Sequence, residues 1–181
     1  LKNRFSSVAA QEAFKEQIDA DVKICVDTRE QTPLKLEHPI KIAGLKFGDY
    51  TLEDPEKCCF CYIERKSIRD FVGTLSGGFE RFKNEIKRAK ESGAYLVVLV
   101  ERKINECMVF NRLPYVSRKV KVTPEYIFRN VRDLLQEFED LQFLFVDGRE
   151  ESSRVMKKLL FDTNCSARDF DLQLAYDLKV L

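Results

Sequence analysis

Three short stretches set acids beside a base: Asp27-Thr28-Arg29-Glu30, Gly48-Asp49-Tyr50 and Glu64-Arg65-Lys66. Carboxylates with no histidine or thiolate among them are hard oxygen donors, which select Mg²⁺ or Mn²⁺ over zinc. Such an ion polarises a phosphoryl oxygen, helps to generate hydroxide and steadies a leaving oxygen. A lysine beside it orients the attacking water or stabilises charge on the phosphate. Together these residues suit phosphodiester hydrolysis. Taken singly, each stretch also reads as polar surface, the first two as turns and the third as exposed charge. Their joint occurrence at the ends of expected strands favours a site.

The strands decide whether these groups can meet. Lys23 to Val26 is a short apolar run ending at Asp27. Leu45 to Leu52 and Cys59 to Lys66 both alternate, and Glu53-Asp54-Pro55-Glu56 between them reads as a turn, so a hairpin is expected. On such a strand Glu64 and Lys66 project to one face, about 6.6 Å apart at roughly 3.3 Å per residue, and Arg65 projects to the other. Asp49 on the partner strand would lie about 4.8 Å away.

Further along, Ser67 caps an expected helix to Leu75, and Ser76-Gly77-Gly78 breaks it. Phe79, Phe82, Ile86 and Ala89 form the apolar stripe of a helix from 79 to 92, stopped by Gly93. Ala94 to Val100 suits a strand buried on both faces. Thr123-Pro124 opens a helix with Ile127, Val131, Leu134, Leu135 and Phe138 inward. Leu141 to Val146 reads as a strand, and Val155, Met156, Leu159 and Leu160 as the buried side of a helix. Ser166-Ala167-Arg168-Asp169 resembles a capping box for a last helix carrying Phe170, Leu174 and Leu178. Strands alternating with helices give an α/β fold, a central mixed sheet flanked by helices. The expected division is an N-terminal extension at 1–21, one domain at 22–165 and a C-terminal helical segment at 166–181.

The chain has 181 residues and a formal net charge of +1, so any nucleic-acid contact must come from local basic patches. Arg118 and Lys119, beside Tyr115, read equally as a phosphate-binding loop or a solvated excursion. No stretch of 18 apolar residues is present, and residues 1–20 lack the apolar block of a secretory signal. An intracellular protein is expected, nuclear if eukaryotic, with no membrane partner. The six cysteines are unevenly spaced and do not suggest a disulfide framework. Cys58-Cys59-Phe60-Cys61 lacks a second ligand pair for zinc, and His38, the single histidine, reads as a surface loop residue.

These motifs resemble the nuclease domain of the XPF-type structure-specific endonucleases, a branch of the PD-(D/E)XK superfamily. The family's Gly-Asp, then Glu-Arg-Lys-x-x-x-Asp, is matched by Gly48-Asp49 and Glu64-Arg65-Lys66 through Asp70. Its Asp-x-Arg-Glu is matched by Asp27 to Glu30, and its glycine turn and basic helix by Ser76-Gly77-Gly78 with Arg81, Lys87 and Arg88. The likeness runs from about Val22 to Leu160. It implies a restriction-endonuclease-like fold and a Mg²⁺- or Mn²⁺-dependent DNA endonuclease that prefers branched or junction DNA. It implies Asp49 and Glu64 as metal ligands, Lys66 acting on water or phosphate, and Asp27 and Glu30 completing the acidic centre, Asp27 as a further ligand. Arg65 and Asp70 become supporting charges of that catalytic set. Arg29, Arg81, Lys87 and Arg88 become DNA contacts. The family often carries Gln where this chain has Glu85, and many members end in a tandem helix-hairpin-helix module for which the residues after Asn164 are too few. The family also implies pairing, as a homodimer or with an inactive nuclease-like partner. The alternative function is a catalytically inactive DNA-binding or dimerisation module, and a weaker one is RNA or flap processing. Inactive copies erode the acidic centre, whereas every signature position is filled here.

Overall fold

The computed structural model describes residues 22–58, 60–113, 116, 120–161 and 171–181. The expected N-terminal extension, Cys59, Tyr115, Arg118, Lys119, the Ser166–Asp169 capping box and Phe170 lie outside the described residues.

Six strands form one mixed sheet, β1 Ile24–Asp27, β2 Ile40–Ala43, β3 Tyr50–Leu52, β4 Cys61–Lys66, β5 Tyr95–Val100 and β6 Leu141–Phe145, in the order β2-β1-β3-β4-β5-β6. β3 pairs antiparallel with both β1 and β4, and the other neighbours run parallel. The helices are α1 Ile68–Thr74, α2 Phe79–Glu91, α3 Ile104–Cys107, α4 Pro124–Glu137, α5 Gly148–Phe161 and α6 Leu172–Asp177. This is the α/β sheet flanked by helices that the alternation of patterns implied.

Strand alternation divides the core into two layers. Ile24, Val26, Tyr50, Ile63, Val97 and Leu99 face α5 and α6, meeting Val155, Met156, Leu159 and Tyr176. Leu96, Val98, Val100 and Phe143 face the other way, toward Phe71 of α1, Phe82 and Ile86 of α2 and Ile127 of α4. β5 is buried along its whole length, and each Leu or Val so buried contributes about 1.5–3 kcal/mol. The helices start where side chains can satisfy open amides: Ser67 accepts from the Asp70 N–H, Thr123 from Tyr126 and Asp171 from Leu174. Asp171 is therefore the cap of the last helix.

Several expectations are corrected. The strand expected over 45–52 is reduced to Tyr50–Leu52, because Gly48 turns the chain at φ +58° and the Leu45 N–H is taken by a side chain. Pro55–Cys58 forms a short 3-10 helix rather than a simple turn. Leu135 points outward, 42% exposed. β2 carries its apolar Ile40 and Ile42 on an exposed edge, where no strand was expected. His38 packs edge-on against Phe161, its ring 4.6 Å away, and contacts the Val22 carbonyl at 2.5 Å. Phe161, Leu172 and Tyr176 are spent on the chain's own core, leaving Leu174 and Leu178 exposed. Cys25, Cys58, Cys61 and Cys107 are buried. Among the described residues no helix is long and apolar enough to cross a membrane.

Candidate active site

Register brings the acids together. Tyr50 pairs with Ile63 and with Val26, so the next residue outward on each strand forms the row Asp27, Asp49, Glu64. The three side chains project to the face covered by α2, because Val26, Tyr50 and Ile63 project to the other. The row is tied by backbone hydrogen bonds, Asp27 N–H to the Asp49 carbonyl and Asp49 N–H to the Ile63 carbonyl, each 2.8 Å. Gly48 is required here. A Cβ at this position would lie 2.9 Å from the Ile63 carbonyl oxygen, and φ is already in the left-handed region.

Asp49 Oδ2 accepts the Arg65 backbone N–H at 2.8 Å. Burial, and then the negative charge of Glu64, push the Asp49 carboxyl up to about 7. Glu64 is buried and carries the Lys66 ammonium as its ion-pair partner. The same ammonium stands over the Phe82 ring, 5.6 Å from its centroid, which fixes Lys66 beneath α2.

Asp27 is committed elsewhere. Its Oδ1 accepts the Arg29 backbone N–H at 2.8 Å and Nε at 2.6 Å, and its Oδ2 accepts the Leu45 N–H at 2.6 Å. Burial would raise its pKa, but these bonds outweigh it and hold the carboxyl below its usual value. Among the described residues no three acids, thiols or imidazoles are gathered so as to hold a metal. Asp49 and Glu64 still fit Mg²⁺ or Mn²⁺. They are hard oxygen donors on adjacent strands, and a cation would relieve the repulsion that raises Asp49. Mg²⁺ is commonly held by one or two carboxylates, with water and substrate phosphate filling the rest.

Arg65 projects to the opposite face, as its odd position on β4 requires. Its Nε and Nη2 each donate to Glu30 at 2.9 Å, Nη1 donates to Glu101 at 3.0 Å and Nη2 to Thr32 Oγ1 at 3.0 Å. Glu30 thus belongs to a buried ion-pair network behind the row of Asp27, Asp49 and Glu64. Burial would raise the Glu30 pKa, but the bidentate guanidinium keeps it low. Arg149 extends the network to Glu101 at 3.3 Å and to the Pro33 carbonyl at 2.7 Å. Asp70 completes the Ser67 cap of α1, its N–H donating to Ser67 Oγ at 3.2 Å and its Oδ2 accepting that hydroxyl at 2.5 Å. Its contribution is to the entry of α1 rather than to the acid row.

Arg81, Lys87 and Arg88 are exposed on α2, and Arg81 and Arg88, one heptad apart, share a side of it. Arg29 is exposed at the mouth of the site. Sequence reading passed over Glu101 and Thr32, and noted Glu85 only as a departure from the family's Gln. Glu101 had a signal, as the first acid beyond the fully buried strand and so at the same sheet end as Lys66.

Residues 26–159 match the ERCC4 domain. The chain belongs to the ERCC4 domain family. Its fold is similar to "XPF from Aeropyrum pernix", with a TM-score of 0.57 and 20% identity over 76% of this chain and 59% of that one. It is similar also to "XPF from Aeropyrum pernix, complex with DNA", with a TM-score of 0.58 and 19% identity over 87% of this chain and 72% of that one. The chain thus spans 59% of the length of the first structure. No curated protein matches significantly. The resemblance drawn from the Gly-Asp and Glu-Arg-Lys motifs therefore holds at the level of family and fold, and the ERCC4 domain encloses every residue of the acid row.

Proposed function

We propose that this ERCC4 domain is a Mg²⁺- or Mn²⁺-dependent DNA endonuclease that favours branched or junction DNA. The observation that carries the reading is the facing pair Asp49 and Glu64, with Lys66 beside it and the basic side of α2 above. A divalent ion on the two carboxylates supplies Lewis-acid polarisation of the scissile phosphodiester. Lys66, held by Glu64, presents its ammonium to water or a phosphoryl oxygen. Arg65 sets the depth of β4 through its ion pairs and fixes Asp49 through its own backbone N–H. Asp27, at the end of the same row, holds Arg29 and the Leu45 amide. Arg81, Arg88, Lys87 and Arg29 contact the DNA backbone, with Arg118 and Lys119 as further candidates. The domain works inside the cell and pairs with a second copy or with an inactive nuclease-like relative.

An inactive DNA-binding or dimerisation module is the alternative. The intact acid row speaks against it, since a module that only binds has no use for two buried, mutually repelling carboxylates. The deciding assay incubates labelled linear, flap, fork and four-way DNA with Mg²⁺, Mn²⁺ or EDTA. Cleavage of the branched substrates with metal and none with EDTA is expected. Binding without cleavage under every condition would establish the inactive module.

A further inference from the structure

α2 crosses the site in a register that can be read from its two ends. At one end Phe82 lies under Lys66. At the other, Ala89 packs with Phe47, and Tyr62 packs against the same cluster, its ring 5.6 Å from that of Phe47. Tyr62, Glu64 and Lys66 project to this one face of β4, so the helix runs antiparallel to the strand. Its span from Phe82 to Ala89 is about 10.5 Å at 1.5 Å per residue. The span from Lys66 back to Tyr62 is about 13 Å. Midway along β4 stands Glu64, and midway along α2 stand Ile86, which is buried in the core layer, and Glu85, the polar residue level with Glu64.

We infer that Glu85 is a further acid of the active centre, a positioning residue that faces Glu64 and holds the hydration shell of a divalent cation seated on Asp49 and Glu64. Three observations support it beyond the register. Glu85 is half-buried, whereas Arg81, Asn84, Lys87 and Arg88 around it on the helix are exposed. Among the described residues Glu85 has no hydrogen bond or ion pair, whereas Asp27, Glu30 and Glu64 each carry a cationic side chain and Asp49 a backbone N–H. Burial first, and then the charge of Glu64, raise its pKa, with Lys66, Arg29 and Arg88 pulling the other way, so its charge acts within the same centre. An unpaired carboxylate in that place is a costly surface residue and a serviceable acceptor for metal-bound water.

The inference rests on the metal-dependent reading, and the test separates the two. Mn²⁺ is titrated into the whole chain without DNA, following free ion by electron paramagnetic resonance, for wild type, Glu85→Gln, Glu85→Asp and Glu64→Gln. Glu85→Gln should weaken Mn²⁺ binding on the order of tenfold, the usual size for a group acting through a metal's outer shell. Glu85→Asp should recover part of that loss, and Glu64→Gln should lose more. Wild-type affinity in Glu85→Gln, with affinity lost in Glu64→Gln, overturns the role of Glu85 alone. Wild-type affinity in both overturns the metal site itself. Thermal melting without metal provides the second readout: Glu85→Gln should melt no lower than wild type. A clear drop would make Glu85 a structural residue and end the inference.

Discussion

Asp49 accepts the backbone N–H of Arg65 at 2.8 Å, so one residue fastens the acid row from behind while its side chain is buried on the far face. The two faces of β4 are therefore coupled: the ion pairs of Arg65 set where Asp49 can stand, and Asp49 carries the charge that the site must balance.

That balance gives a pH prediction. The Asp49 carboxyl, raised to about 7, binds its proton more tightly in the fold than in the unfolded chain. Its contribution to stability is full below about pH 4, the unfolded value, and is lost as pH rises through about 7. Metal-free Asp49→Asn should therefore gain on wild type between pH 5 and pH 8, by about 2 kcal/mol after solvent screening. Urea melts in EDTA at the two pH values measure it, and an equal difference at both would contradict the shift.

Glu64→Gln should reduce cleavage of a fork substrate on the order of a hundredfold or more, with folding and most DNA affinity retained. It removes half of the proposed metal seat and little packing. Near wild-type cutting would move the active centre elsewhere.

Arg65→Met should destabilise by about 3–5 kcal/mol, because it strands Glu30 without a cationic partner in a poorly solvated place and leaves Glu101 only Arg149. Denaturant melts at neutral pH give the value. Arg65→Lys should rescue only part of it, since an ammonium cannot reproduce the bidentate fork.

Arg81→Ala with Arg88→Ala should weaken binding to all DNA sequences alike. The slope of log affinity against log salt should fall by about 1.8, at roughly 0.9 per phosphate contact. Fluorescence anisotropy across a salt series reads this out, and an unchanged slope would place the DNA track off α2.

Light scattering over a hundredfold concentration range should detect self-association, abolished by Leu174→Glu with Leu178→Glu. Leu174 of α6 and Leu178, the residue that caps its C-terminus, are exposed at 45% and 51%. A monomer throughout, with full cleavage, would remove pairing from the proposal.

The sequence made strands and helices readable wherever burial imposed a period. β5 and the stripe of α2 are examples, and the Glu-x-Lys alternation with a facing Asp49 followed from geometry alone. What stayed hidden has physical causes. Ile40 and Ile42 lie on an edge with one neighbouring strand, so burial imposes no pattern there. Leu45 is held out of the strand by a carboxylate 18 residues away. Glu30 meets Arg65 across 35 residues, a pairing that no local spacing encodes. Glu85 stood out only as a departure from the family's Gln, because periodicity separates apolar from polar positions and cannot assign a role to one half-buried acid.

Gly48 separates inheritance from use. Its place is enforced by a backbone carbonyl 2.9 Å from where a methyl group would be, a demand of the hairpin whether or not anything is cut. A descendant that abandons catalysis can discard Asp49 and Glu64 at once and gain stability by doing so, yet it must keep this glycine to keep its shape. Among diverged copies of the domain, then, the first half of the Gly-Asp motif records common ancestry, and only the second half reports a working enzyme.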